Sequence, residues 1–557
     1  MDSISRAPSS LVPATLDDPL YYLRNFRAVL EWVACWHDDL LNDEERRFVP
    51  AFLALPTASQ GLLARLMMRK GELFRATKLN YTELGPISRA AAPLIELGWL
   101  DPVPALSLEA LFALFTKAEL GRLLSRPLAE AGQGGAGRKA AWLAALAAAF
   151  PQPLAPGDWG LEEPLYELKP RPLCDRFRLM FFGNLHQSWS EFVLAELGTF
   201  RYQPVAFDAA SRPFWRRQHL DLWLEVQACR DSLDAGEPLE AVQARLSRQP
   251  SDCPWVEQRR QRLCFDIARQ WERLGDLSRA DALYLDCLHP GARARRLRVL
   301  ERMGAYQSAL ELAGQAAAAP ESEAERQQLE RLLPRLQRRL GLPRARAKAA
   351  PAIDTLAVWL PASGFVEGVV REHLACPRAP VFYVENTLIT GLFGLLCWEA
   401  LFAPVPGAFF HPFQSAPADL HHPEFHARRR AWFDPAFQAL ESGTHGPRII
   451  DAFNRHRGIL SPLVHWGVLD EALLTLALEC IPAAHLRLCF ERLLRDLKAN
   501  RAGLPDLIQF WPAEKRYRMI EVKGPGDRLQ DNQHRWLAFF AEHRLPAAVC
   551  QVQWTAP

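Results

Sequence analysis

A chain of 557 residues, 49% of them hydrophobic, is long enough for three or four domains with real cores. Its eleven cysteines, an odd number with no Cys-x-x-Cys pair, argue against a disulfide framework and a zinc module, and no apolar run approaches the roughly 18 to 20 uncharged residues of a membrane helix. The net charge of +2 conceals blocks of arginine, which point to an anionic partner. The opening Met1-Asp2-Ser3-Ile4-Ser5-Arg6 lacks the layout of a secretory signal, so no membrane partner and a cytoplasmic location are expected.

From Tyr21 to about Leu100 helical spacing recurs with few breaks. Arg65, Arg69, Lys70, Arg75 and Lys78 form either one cationic DNA-contacting surface or a solvated helix face. After Pro102-Val103-Pro104, two short helices are predicted around the loop Gly132-Gln133-Gly134-Gly135-Ala136-Gly137. Arg138 and Lys139 follow that loop and are placed to meet phosphates, unless it is only a linker between alanine-rich helices. Residues 1–155 thus read as an N-terminal helical DNA-binding region, with the two-helix module at about 105–150.

Residues 156–349 read as a helical repeat domain. Its proline-rich connector, Pro151 to Pro172, leads to the apolar segments Arg176 to Leu185 and Trp189 to Leu197. Leu274-Gly275-Asp276 with Ala280 recurs as Met303-Gly304-Ala305 with Ala309, a shift of 29 residues. Glycine at a tight bend and a small alanine at the helix crossing are what tetratricopeptide-like pairs require. Arg293, Arg295, Arg296 and Arg298, then Arg335, Arg338, Arg339, Arg344, Arg346 and Lys348, either track phosphates or line a solvated face.

Residues 350–557 form the last predicted domain. A helix is expected from Glu385 to Phe402, whose wheel puts Glu385, Leu388, Ile389, Leu392, Leu396 and Glu399 on one face. A core-facing Glu385 then sits at a wet helix end or meets a cation. Asp419-Leu420-His421-His422-Pro423-Glu424 with His426 reads as a polar loop rather than a transition-metal site, and Arg428-Arg429-Arg430 as a face toward DNA.

Asp506 opens the apolar run Leu507-Ile508-Gln509-Phe510-Trp511. After a turn, Tyr517-Arg518-Met519-Ile520-Glu521-Val522-Lys523 reads as the second strand of a hairpin. Period two sets Glu521 and Lys523 on one face and Ile520 and Val522 on the other. Two hard carboxylates bind Mg²⁺ or Mn²⁺, which polarises a phosphodiester and acidifies water, while the lysine offsets developing negative charge. A lone Glu-x-Lys is ordinarily just an exposed alternation. Here a Gly-x-Pro-Asp precedes it and Gly524-Pro525-Gly526 follows. Beyond it, Asp527 with Gln530 fits a capping box, Trp536, Leu537 and Phe540 share a stripe with Gln533, and Gln533 is a candidate DNA-phosphate contact or support for the ligands.

This arrangement resembles the PD-(D/E)xK nucleases. Gly503-Leu504-Pro505-Asp506, Ile520 to Pro525, Asp527-Arg528-Leu529, Gln533 and Trp536-Leu537 look like the VRR-NUC domain of the Fanconi-associated nucleases. The resemblance implies Asp506 as a bridging metal ligand, Glu521 as a ligand, the Val522 carbonyl as a further one, and Lys523 acting on the attacking water or the scissile phosphate. Tyr383-Val384-Glu385-Asn386-Thr387 resembles the family's helix bearing a ligand glutamate, which carries over to Glu385, whereas Glu399 fits a structural position and its role stays open. Tyr21-Tyr22-Leu23-Arg24 and Arg69 to Leu79 look like the family's N-terminal part, and the glycine-loop helices are similar to a SAP module.

The implied fold class is mainly α and multidomain, with an N-terminal helical DNA-binding region carrying the SAP-like module, TPR-like repeats and a C-terminal α/β PD-(D/E)xK domain. The implied function is a structure-selective DNA nuclease with two Mn²⁺ or Mg²⁺ ions per active site. It would be a 5′-flap endonuclease and 5′-to-3′ exonuclease acting on flap, nicked or gapped duplexes in interstrand crosslink repair. A Holliday-junction resolvase and a non-catalytic DNA-binding scaffold are the alternatives; the large helical arms argue against the first and the intact Asp506, Glu521 and Lys523 against the second. Eukaryotic members carry an N-terminal ubiquitin-binding zinc finger, for which this chain has no Cys/His cluster. The composition looks bacterial, with the nucleoid as the expected location, or the nucleus for a eukaryotic chain.

Overall fold

A computed structural model describes residues 18–133, 137–187, 189, 201–207, 211–247, 249–343, 352–362 and 364–555. Most of Trp189–Leu197, the loop residues Gly134, Gly135 and Ala136, and Arg344, Arg346 and Lys348 lie outside the described residues. The chain divides into two compact units, one of residues 1–200 with 212–220 and one of 201–211 with 221–557.

In the first unit, helices Tyr21–Trp36, Asp43–Ala54 and Thr57–Met67 bury Tyr22, Phe26, Phe52, Leu62 and Leu66. Asn42 and Glu45 close a capping box that starts the second of these. Strands β1 (Leu73–Arg75), β2 (Leu100–Asp101) and β3 (Leu165–Leu168) form an antiparallel sheet in the order β1-β3-β2. Because β3 is its central strand and the helix Arg171–Phe182 packs on Tyr21–Trp36, the first unit continues past residue 155. The expected boundary there is wrong. A proline-rich connector disguised a strand whose partners lie 66 to 94 residues earlier. The short helices Leu108–Leu114, Lys117–Leu123, Ser125–Glu130 and Lys139–Leu146 bury Leu111, Leu120, Leu128, Trp142 and Leu146 in one core, where two helices were expected.

In the second unit the predicted repeat holds bond for bond. Gly275 and Gly304 both adopt left-handed backbone, φ 87° and 75°. Behind them Asp276 N–H reaches the Trp271 carbonyl at 3.1 Å and Ala305 N–H that of Leu300 at 2.9 Å. Ala280 and Ala309 are fully buried at the crossings.

The C-terminal part holds a mixed sheet of β4 (Asp354–Pro361), β5 (Val381–Tyr383), β6 (Leu507–Trp511), β7 (Arg516–Lys523) and β8 (Ala547–Thr555), ordered β4-β8-β7-β6-β5. β6 and β7 pair antiparallel with Leu507 opposite Ile520, while β7 and β8 are parallel. Both faces are covered. Ile520 and Val522 join Val370, Val381 and Cys550 on one side; Tyr517 and Met519 join Phe393, Phe490 and Trp536 on the other. Among the described residues no single helix is long and apolar enough to cross a membrane.

Candidate active site

β7 is the middle strand, so its last turns are walled on both sides. Glu521 shares the face of Tyr517 and Met519, as the alternation requires, and is 0% exposed; Asp506 is 6% exposed and Lys523 is 9%. The Val522 N–H donates to Asp506 Oδ2 at 2.8 Å, locking the aspartate at the mouth of β6 against the strand bearing the glutamate. Lys523 Nζ lies 2.8 Å from Glu521 Oε1, but off the axis of a hydrogen bond, and neither Glu521 oxygen accepts one. A buried carboxylate with no hydrogen-bond donor on Oε2, beside a second carboxylate, is ligand chemistry that fits a hard divalent cation.

Burial raises the Asp506 carboxyl to about 6, against the pull of the Val522 N–H and Lys523. Burial and then the charge of Asp506 push Glu521 up to about 7. Both therefore hold protons more tightly folded than unfolded, so their contribution to stability is full below about pH 4 and is lost as pH rises toward 7. Without metal, the melting temperature of the wild type relative to Glu521→Gln should fall from pH 5 to pH 8. Added Mn²⁺ should raise it more at pH 8, where it displaces no protons. Scanning calorimetry across that range, with a pH-independent difference, would refute the linkage.

Glu385 departs from expectation. Asn386 takes a left-handed backbone, φ 54°, and the helix begins only at Leu388 and ends at Leu396. Glu385 therefore stands exposed in the turn after β5, outside any helix. Its Oε2 accepts from the Tyr383 hydroxyl at 2.5 Å and its Oε1 from the Asn386 amide at 3.2 Å. The turn is stitched to the Asp506 loop by Val384 N–H to the Asp506 carbonyl, 2.8 Å, and Leu504 N–H to Asn386 Oδ1, 3.0 Å. Its charge reaches both buried acids. Yet among the described residues no three acids gather as a ready metal cage, because the Glu385 carboxylate is turned to Tyr383. Glu399 lies on a separate short helix, Trp398–Leu401, and faces solvent near His456.

Sequence reading missed three neighbours. Half-buried Glu367, on the helix Val366–Leu374, adds negative charge at Asp506. Tyr383 and Asn386 orient Glu385; only the tyrosine's period-two spacing from it was visible. Gly503, at φ 93°, lies where a Cβ would come within 2.7 Å of the Asn532 backbone, so the helix Asp531–Glu542 presses on the loop that delivers Asp506.

The cationic candidates divide. Arg65 is committed inward, 2.7 Å from Glu83 and 3.8 Å over the Tyr22 ring, and Arg75 sits between Glu119 and Glu163 at 2.8 and 2.7 Å. They do not join one cationic surface; Arg69, Lys70 and Lys78 remain exposed. Arg429 is fully buried against Asp419 at 2.8 and 2.7 Å and so cannot face DNA, whereas Arg428, paired with Asp419 at 2.6 Å, and Arg430 stay exposed. Gln533 closes a capping box by accepting from Gln530 N–H at 2.8 Å, which replaces the box expected at Asp527 and occupies its amide oxygen but not its NH2 group. Arg293 pairs with Glu325 at 2.6 Å and Arg296 with Asp281 at 2.9 Å.

Arg138 is exposed, whereas Lys139 Nζ donates to the Phe115 carbonyl at 2.8 Å. Arg138→Ala should reduce the salt slope of DNA affinity by about one without changing the melting temperature. Lys139→Ala should instead cost about 1 kcal/mol of stability. Salt titrations and melts of the two variants check this, and identical behaviour would refute the division.

A hairpin carrying Asp506, Glu521 and Lys523 within this mixed sheet defines a VRR-NUC nuclease domain, whose family description matches residues 440–554. The FAN1 HTH domain matches residues 20–101 and the Fanconi anemia-associated nuclease SAP domain residues 105–159. The chain is 52% identical over 556 residues to a Fanconi-associated nuclease 1 homolog of Pseudomonas aeruginosa, covering 99% of this chain and 98% of that one. A homolog from Arabidopsis thaliana is 24% identical over 607 residues, covering 96% and 67%. The crystal structure of paFAN1 bound to 2nt 5′ flap DNA with gap superposes with a TM-score of 0.93 at 52% identity, over 98% of this chain and 100% of that one. The chain belongs to the Fanconi-associated nuclease family.

Proposed function

We propose that the protein cuts branched DNA at 5′ flaps, and trims 5′ to 3′, by divalent-cation-dependent phosphodiester hydrolysis in interstrand crosslink repair at the bacterial nucleoid. The observation that carries the chemistry is the buried Glu521, whose Oε2 has no partner and whose Oε1 has only the Lys523 ammonium at 2.8 Å, beside Asp506. Support for the substrate comes from paFAN1, solved with 1nt and 2nt 5′ flap DNA with gap.

Asp506, Glu521 and the Val522 carbonyl would hold two Mn²⁺ or Mg²⁺ ions, with Glu385 joining once its carboxylate leaves Tyr383. Such ions supply Lewis acidity at the scissile phosphate and a more acidic water. The Val522 N–H keeps Asp506 pointed into the site, and the sheet walls exclude bulk water from Glu521. Lys523, held at the same strand end, orients the attacking water or offsets the charge developing on phosphate oxygens.

Labelled flap, nicked, gapped and four-way substrates, incubated with Mn²⁺, Mg²⁺ or chelator, test the proposal. Metal-dependent cutting near the flap junction is expected. Preferential symmetric cutting of the four-way junction would favour the resolvase alternative, and no cutting with any ion would refute a nuclease.

A further inference from the structure

On the last repeat helix, Glu323–Arg339, Arg331, Arg335 and Arg339 recur four apart and form one stripe about 12 Å long. At its start Arg331 makes forked contacts of 3.0 and 2.6 Å to Asp531, the first residue of the helix Asp531–Glu542 that follows the catalytic strand. Further along, Arg335 and Arg339 line a hollow of about 430 Å³. Across it, the helix Ala292–Arg302 contributes Arg298 and Arg302, again four apart, with Glu301, and the next helix, Tyr306–Ala318, contributes Tyr306.

The charges there do not balance. Glu301 satisfies Arg335 at 2.5 and 2.8 Å. Arg298 and Arg302 lean on one buried carboxylate, Glu272, at 3.7 and 3.4 Å, and share it with Arg295 at 3.5 Å. Arg339, exposed beside the Tyr306 ring at 5.9 Å, has no carboxylate within ion-pair distance among the described residues. A purely structural cluster would pair its guanidinium groups, as Arg293 and Arg429 are paired elsewhere in this unit. Converging, under-compensated guanidinium forks in a concave surface instead suit phosphate oxygens.

We propose that this arginine hollow holds backbone phosphates of a DNA arm leading away from the active site. The inference rests on the DNA-cleaving reading above. It favours DNA over an acidic protein because the stripe is continuous, through Arg331 and Asp531, with the helix that presses on the Asp506 loop.

The test measures fluorescence anisotropy of the full chain on labelled 5′-flap DNA in Ca²⁺ over a NaCl series, comparing wild type, Arg298→Ala/Arg302→Ala/Arg339→Ala and the single Arg339→Glu. The triple variant should bind about 10- to 100-fold more weakly at about 150 mM salt, with the slope of log affinity against log salt shallower by about 2 to 3. The difference should vanish when the duplex arm is shortened. Wild-type slopes in variants that melt like wild type would overturn the hollow, and Arg339→Glu decides should the triple variant not fold. Loss of poly-glutamate binding with an unchanged DNA slope would also overturn it, in favour of an acidic protein. The same wild-type preparation is assayed for flap cleavage in Mn²⁺: cleavage with unaltered variant slopes removes the hollow alone, whereas absent cleavage removes the functional reading.

Discussion

Asp506→Ala should abolish cleavage while leaving flap DNA bound in Ca²⁺. The aspartate is buried, is fixed by the Val522 N–H and shares its low-dielectric pocket with Glu521. Alanine removes both oxygens and leaves Glu521 without a second buried donor beside it, so the loss should exceed the roughly 10²- to 10³-fold that follows removal of one oxyanion donor. Affinity should persist because phosphate contacts away from the site dominate it. Gel assays of cleavage in Mn²⁺ and anisotropy in Ca²⁺ separate the two, and full activity in the variant would end the nuclease assignment.

Glu385→Gln should lower activity by orders of magnitude, with partial recovery at high Mn²⁺. The substitution keeps the shape and removes the charge felt by Asp506 and Glu521, and it leaves one acceptor oxygen where the carboxylate offers two to Tyr383 and Asn386. A weaker ligand set loses ion occupancy, which concentration restores in part. Glu399→Gln, at the exposed position of the otherwise buried short helix beyond the break at Cys397, should keep the metal dependence and change stability by no more than about 0.5 kcal/mol. Mn²⁺ titrations of initial rates on one flap substrate distinguish them. If the two variants exchange behaviour, Glu385 is not a ligand.

The hairpin was legible because its determinants are local: alternation along Tyr517–Lys523 and a glycine-proline stop placed Glu521 and Lys523 together without reference to the rest of the chain. The repeat was legible for the same reason, since each glycine bend is closed by residues within one turn. Glu385 was misplaced because apolar spacing from Leu388 onward extrapolates backward through Asn386, whose left-handed backbone no wheel registers. The arginines were illegible in another sense. Whether Arg65 or Arg429 faces DNA depends on Glu83 and Asp419, and a sequence displays charge but not which charges cancel. Glu367 lacked any local motif; the fold alone brings its charge to Asp506.

The pairing of β7 with β8 also fixes an order of assembly. β6 and β7 form a hairpin that closes within microseconds of emerging. Glu521 acquires its neighbour Val549 only after the helix Asp531–Glu542 and the parallel strand beyond it have been synthesised and docked. A chain that ended before β8 would therefore lack the strand that pairs with Glu521 and makes β7 the middle of the sheet.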